Sequence, residues 1–211
     1  LPPPMRPWHS ALTPTVLPKP MAWLMPLPEA RLIVGLGNPG AEYARHRHNV
    51  GFMAIDALAD RFKKISFSKK FKGLYANVQV KAKDEYNHQT LHLLKPQTYM
   101  NLSGESVLAA CQFFKLPPSA VTVIHDEIDL PLGSVRVKIG GGDAGHNGLK
   151  SVTAVLGSGY YRIRIGIGHP GQRERVAGYV LEPFSKEEEI LLNTIIKTAL
   201  DTALPSNGHL Y

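Results

Sequence analysis

The run L-I-V-G-L-G-N-P-G at residues 32–40, followed by A-E-Y-A-R-H-R-H-N, constrains this chain more than any other stretch. An apolar run that stops at glycines is predicted to be a short buried strand ending in a turn. Gly35, Gly37 and Gly40 match the G-x-G-x-x-G pattern of dinucleotide-binding turns. In such a turn a helix begins at the second glycine and aims its first amides at a pyrophosphate. Here Pro39 removes an amide donor, and residues 41–48 are too polar to supply a buried helix face. The expected product is instead a loop that presents Asn38, Tyr43, Arg47, His48 and Asn49 from the end of a strand.

Downstream, strand and helix signals alternate. Val50 to Phe62 carries apolar residues at helical spacing, with Val50, Met53, Ala54, Ala57, Leu58 and Phe62 on one face. Leu74 to Val80 and Thr90 to Leu94 read as strands joined by the polar turn D-E-Y-N-H, and a helix from about Glu105 to Lys115 stops at Pro117-Pro118. Strands follow at Val121 to His125 and Val135 to Ile139. After the glycines at 140–142, Asn147 is expected to cap a helix over Leu149 to Leu156. Tyr161 to Ile167 alternates as a strand, and Ser185 with Glu188 forms the capping box of a last helix ending before Pro205. The pattern predicts an α/β fold: one three-layer domain over residues 31–211, with a central mixed twisted β-sheet flanked by helices. The first thirty residues carry nine prolines and are expected to be a tail or leader outside the fold.

Charge is unevenly placed. The net charge is +7, with 11 basic against 3 acidic residues over 31–83 and 11 against 13 over 84–211. A concentrated basic field favours a polyanionic partner, RNA or DNA first, although a solvated lysine face has the same composition. No apolar run approaches the ~18 residues of a membrane span, so no membrane partner is expected. The single Cys111 lies in V-L-A-A-C-Q-F-F, which predicts a buried thiol, no disulfide and a cytoplasmic setting.

The polar residues then define the chemistry. Asn38 and Asp126 follow strands whose carboxyl ends would form a binding crevice, while His48, Asn49, Asn101, His146 and Asn147 lie at helix starts. There is no G-x-S-x-G elbow and no H-E-x-x-H or Cys/His zinc spacing, so neither a covalent acyl-enzyme nor a metal is expected. A histidine, a carboxylate to orient it and several amides suit direct attack of water on a carbonyl.

Five ordered runs carry a resemblance: L-I-V-G-L-G-N-P-G with R-H-N-V-G, K-P-Q-T-Y-M-N-L-S-G, H-D-E-I-D-L-P-L-G, G-G-G-D-A-G-H-N-G-L-K-S and Y-R-I-R-I-G-I-G-H-P-G. Over roughly Arg31 to Leu200 the chain resembles the bacterial-type peptidyl-tRNA hydrolase family. The resemblance implies a monomeric enzyme without cofactor or metal that cleaves the ester between a peptide and the 3′ end of tRNA, recycling tRNA from aborted translation. It places the catalytic histidine on His48, its acidic partner on Asp126 and a site amide on Asn38. Asn101 and Asn147 would hold the peptide and help organise water and carbonyl, with Tyr43 and Met100 lining the same site. Lys138 and Arg164 fall where the family clamps the 5′ phosphate of the acceptor stem. Two departures stand out: His46 replaces a usual threonine before R-H-N, and A-L-P-S-N-G-H-L-Y replaces a longer basic C-terminal helix. Two rival readings are a non-enzymatic RNA-binding module and a nucleotide-dependent oxidoreductase.

Overall fold

The structure is a computed structural model that describes residues 31–62, 65–81 and 88–204. The expected tail at 1–30, the turn at 84–87 and the chain from 205 onward lie outside the described residues. Strands β1 (Leu32–Gly35), β2 (Ser68–Lys70), β3 (Gly73–Lys81), β4 (His88–Pro96), β5 (Val121–Glu127), β6 (Val135–Ile139) and β7 (Tyr161–Gly166) interleave with five helices. These are α1 (Val50–Arg61), α2 (Ser103–Phe114), α3 (Asn147–Leu156), α4 (Val176–Val180) and α5 (Lys186–Ala203).

The strands form one mixed sheet in the order β2-β3-β4-β1-β5-β7-β6. β4, β1, β5 and β7 run parallel, and β2, β3 and β6 join antiparallel at the two sides. Side chains alternate across the pleat, so neighbouring residues of β1 serve different layers. Ile33 packs with Ile55 and Leu58 of α1 and Ile195 and Ala199 of α5. Leu32 and Val34 pack with Val107 and Ala110 of α2 and Leu149 and Val152 of α3. The result is the three-layer α/β architecture that the alternating pattern predicts.

Element bounds shift by a few residues from the pattern, and α1 is rotated relative to its predicted stripe. Ile55 and Ala59 are buried, whereas Met53, Ala57 and Phe62 are only partly so, because the sheet and α5 cover α1 on two sides. β2 and α4, at three and five residues, are too short for any periodicity to reveal.

The glycines of the opening motif have packing roles. A Cβ on Gly35 would stand 2.1 Å from the carbonyl oxygen of Gly51, and one on Gly51 would stand 2.4 Å from the backbone nitrogen of Leu36. A Cβ on Gly37 would enter the ring of Phe52, at 2.7 Å. The start of α1 therefore presses directly on the carboxyl ends of β1 and β5. The amide of Leu36 donates to Ile124 and that of Asn38 to the Asn49 side chain, which leaves neither for a pyrophosphate.

Candidate active site

The polar run after β1 folds as two short 3-10 turns, Ala41–Tyr43 and Arg47–Asn49, the second leading straight into α1. Asn49 grips the strand end from below: its Oδ1 accepts from the Asn38 amide at 2.9 Å and its Nδ2 donates to the Asn38 carbonyl at 2.9 Å. That pair of hydrogen bonds fixes His48 at the carboxyl edge of the sheet. Asp126 arrives there from β5, whose seven residues are all buried.

His48 and Asp126 meet at hydrogen-bond distance. Nδ1 of His48 lies 2.9 Å from each carboxylate oxygen, with side-chain exposures of 12% and 2%. A second histidine completes the group, since Nε2 of His146 lies 3.0 Å from Asp126 Oδ1. Nδ1 of His146 accepts from the amides of Gly148 and Leu149 at 3.1 and 3.3 Å, which assigns the proton to Nε2 and makes His146 a donor to Asp126. His146, rather than the expected Asn147, is thus the N-cap of α3, and Asn147 is its first helical residue. An imidazole acceptor occupies the two amides that an open helix start would offer.

Burial opposes the charged form of His48, but the Asp126 carboxylate more than offsets it by charge and hydrogen bond, so its pKa lies above 6.5. Burial also works against the Asp126 anion, yet the two histidines hold its carboxyl well below the usual range. Next to it, His125 is fully enclosed. Burial first, and then His146, push its pKa down to about 3, and its Nδ1 lies 2.6 Å from the Asp126 carbonyl.

A cleft of ≈ 520 Å³ opens over this group, lined by His48, Asp126, Glu127, Ala144, His146 and Asn147 together with His169, Arg173, Val176 and Val180 from the segment after β7. Ala144 takes a left-handed φ of 47°, a costly conformation for a residue with a Cβ. Buried Arg162 pins this loop by donating to the carbonyls of Gly142 and Gly141 and to Asp143.

The other expected site residues divide. Asn38 Oδ1 accepts from the Met100 amide at 2.9 Å, which joins the β1 turn to the M-N-L turn, and Met100 is buried against the start of α3, where a Cβ on Gly148 would meet its sulfur. Asn101 is exposed, and Tyr43 packs edge-on against His46 at 5.4 Å, outside the lining of the cleft. Val135, Val137, Ile163 and Ile165 face the α1–α5 layer, so Lys138 and Arg164 share the opposite face. Both line a small cavity that shares Glu127 and Ala144 with the cleft, and Arg164 donates to Glu127 at 2.9 Å. No motif assigns a role to His146 or Arg162, and Arg47, expected among the polar groups that the loop presents, is instead buried against Glu188. Only the place of His146 beside a helix start hinted at it, and no periodicity marks a buried arginine.

The site also has the side-chain types of a metal centre, since donor atoms of His48, Asp126 and His146 lie within 4.8 Å of one another. In this arrangement both histidines already turn a ring nitrogen to the carboxylate, and a cation would have to replace those bonds. The donor set therefore fits an acid–base relay better than a metal site.

Comparison with known proteins places the whole fold among its relatives. The family profile described as "Peptidyl-tRNA hydrolase" matches residues 32–206. A peptidyl-tRNA hydrolase of Methylorubrum extorquens (strain PA1) is 50% identical over 173 residues, covering 82% of this chain and 80% of its own. One from Sorangium cellulosum is 52% identical over 176 residues, covering 82% and 76%. The crystal structure of peptidyl-tRNA hydrolase from Acinetobacter baumannii is similar at a TM-score of 0.77 and 40% identity, covering 84% of this chain and 88% of that one.

Proposed function

The chain belongs to the peptidyl-tRNA hydrolase family, and from that premise we propose that His48 is the general base of its reaction, oriented by Asp126. The observation that carries this reading is the buried carboxylate held by His48 on one side and His146 on the other. With its Nδ1–H donated in a hydrogen bond to the Asp126 carboxylate, neutral His48 keeps the Nε2 lone pair for a water molecule. That water loses a proton to Nε2 and attacks the ester carbonyl joining a peptide, or an N-blocked aminoacyl group, to the 3′ oxygen of tRNA. The tetrahedral intermediate then breaks its C–O bond, the proton passes to the leaving ribose oxygen, and free tRNA and peptide acid result. A ribose oxygen leaves readily, so no covalent intermediate is required.

Asn38, Asn101 and Asn147 supply neutral polar groups for the peptide and the developing oxyanion, and Tyr43 and Met100 shape the surroundings. Lys138 and Arg164 would meet the 5′ phosphate of the acceptor stem, reading charge and shape rather than sequence. The family supports a monomer acting in the cytoplasm, where translation supplies its substrate. Among the described residues, no helix is long and apolar enough to cross a membrane.

The deciding assay is release of tRNA from an N-blocked aminoacyl-tRNA. The wild type is expected to turn over and His48→Ala to lose ~10²- to 10⁴-fold in kcat, the typical worth of a general base. Wild-type protein that binds tRNA without turnover would point to the RNA-binding module instead. A fully active His48→Ala variant would remove the base assignment.

A further inference from the structure

We propose that Arg47 is a positioning residue for His48, tying the turn that carries the histidine to the α4–α5 segment, whose Val176 and Val180 line the same cleft. Arg47 immediately precedes His48, yet its side chain points away from the cleft into the protein and is only 6% exposed as a residue. Its guanidinium donates to the carbonyls of Pro183 and Glu182 and, at 2.6 Å, to Glu188 Oε2. It lies 4.4 Å from the ring centroid of Tyr179 and 5.2 Å from that of Phe184. The backbone repeats the contact, since the Arg47 amide donates to the Glu182 carbonyl at 3.0 Å and His46 bridges to Pro183. Every one of these partners lies between the end of α4 and the first turn of α5.

That segment has two attachments of its own. Val176 and Val180 of α4 line the cleft, and Tyr179 donates to the Ile167 carbonyl at 2.6 Å. Glu188 belongs to the capping box of α5: the oxygen that binds Arg47 also accepts from the Ser185 amide at 2.7 Å. A planar guanidinium with a fork of donors can join carbonyls, carboxylate and aromatic faces at once, which a lysine cannot. A buried charge is costly without partners, and both terminal nitrogens of Arg47 have them while its Nε has none, so the arginine is held through the end of its fork. Positioning matters here because a displacement of about 1 Å in a reacting group can cost ~10²-fold in rate. Neighbouring Arg45 offers the contrast, since it pairs with Glu189 on the surface with 67% of its side chain exposed.

This inference rests on the reading of His48 as the base, and the experiment separates the two. Arg47→Met, Glu188→Gln and Arg45→Ala are compared with wild type for kcat and KM on N-blocked aminoacyl-tRNA, and the His48 ring is titrated by NMR. Arg47→Met is expected to keep its fold by circular dichroism, to lose at least about 10-fold in kcat with KM changed less than about 2-fold, and to bring the His48 pKa down towards 6.5 as the Asp126 contact loosens. Glu188→Gln keeps an acceptor for Ser185 but removes the charge facing Arg47, so it should move kcat and the titration in the same direction by a smaller factor. It carries the test if Arg47→Met does not fold. Arg45→Ala should match wild type. The proposal is overturned if the folded Arg47 and Glu188 variants leave kcat and the His48 titration unchanged, or if their effect lies in KM alone. A shifted titration together with a fully active His48→Ala would keep the positioning role and reject the base.

Discussion

At the scale of single residues, the arrangement is one carboxylate serving two histidines in different ways. Asp126 raises the pKa of His48 against the effect of burial, while His146 donates a hydrogen bond from Nε2 to Asp126 because its other nitrogen caps a helix. Asp126→Asn removes the charge but not the burial, so the His48 pKa should drop below 6.5. The charged or titratable groups that then line the cleft with His48 are His146, His169, Arg173 and Glu127, and the one carboxylate among them, Glu127, is already paired with Arg164. The acid limb of the pH–kcat profile should therefore move to lower pH while the plateau falls by ~10²-fold or more, because an amide can hold the wrong tautomer. An acid limb that stays in place would show that a different group titrates. His125 leads to a prediction about stability. Its folded pKa of about 3 lies below the unfolded value of 6.5, so the unfolded chain binds the extra proton, and stability is present above pH 6.5 and is lost as pH falls towards 3. The slope from this group is at most ~1.4 kcal/mol per pH unit. His48, with its raised pKa, contributes fully below pH 6.5 and loses that contribution only as pH rises through its folded value, so it adds no slope on the acid side. Urea unfolding between pH 6.5 and 4 should show the decline in wild type and a flatter one in His125→Gln.

At the scale of elements, two glycines and a capping box decide where the site sits. Gly51→Ala would drive a methyl group into the Leu36 amide and the Ile124 carbonyl, at 2.4 and 2.5 Å, and neither backbone can retreat without moving β1 or β5. Overpacking of this kind typically costs ~1–3 kcal/mol, to be read from urea midpoints. The shift of α1 should also reduce kcat, since α1 starts two residues after His48. The alternation of the sequence was enough to place most strands and helices, and S-K-E-E announced the cap of α5. It could not announce β2 or α4, which exist because longer neighbours offer them an edge or a wall. Nor could it show that His146 rather than Asn147 caps α3, because both side chains can accept an amide proton and only the turn geometry chooses between them.

At the scale of the molecule, the parallel strands bring their carboxyl ends to one side, and the cleft lies there between the β5–β7 end and α4. Lys138 and Arg164 lie beside it on β6 and β7, and the net charge of +7 adds a general attraction for RNA. Lys138→Ala is expected to raise KM for tRNA substrates and leave a short esterified nucleotide unaffected, with added salt weakening the first substrate more steeply than the second. Equal effects on both substrates would remove the phosphate assignment. What the sequence by itself determined is the family, the layer order and the residue types of the site, because periodicity and ordered motifs are local properties of a chain. His48 and Asp126 were expected as partners from the ordered motifs, and their side chains do meet, although 78 residues separate them. Only the tertiary structure decided that one carboxylate is shared with His146, that Lys138 and Arg164 share a face, and that Arg47 turns inward to the junction of α4 and α5. Those facts depend on strand register and on which buried polar groups find partners, and both are settled only when distant segments pack together.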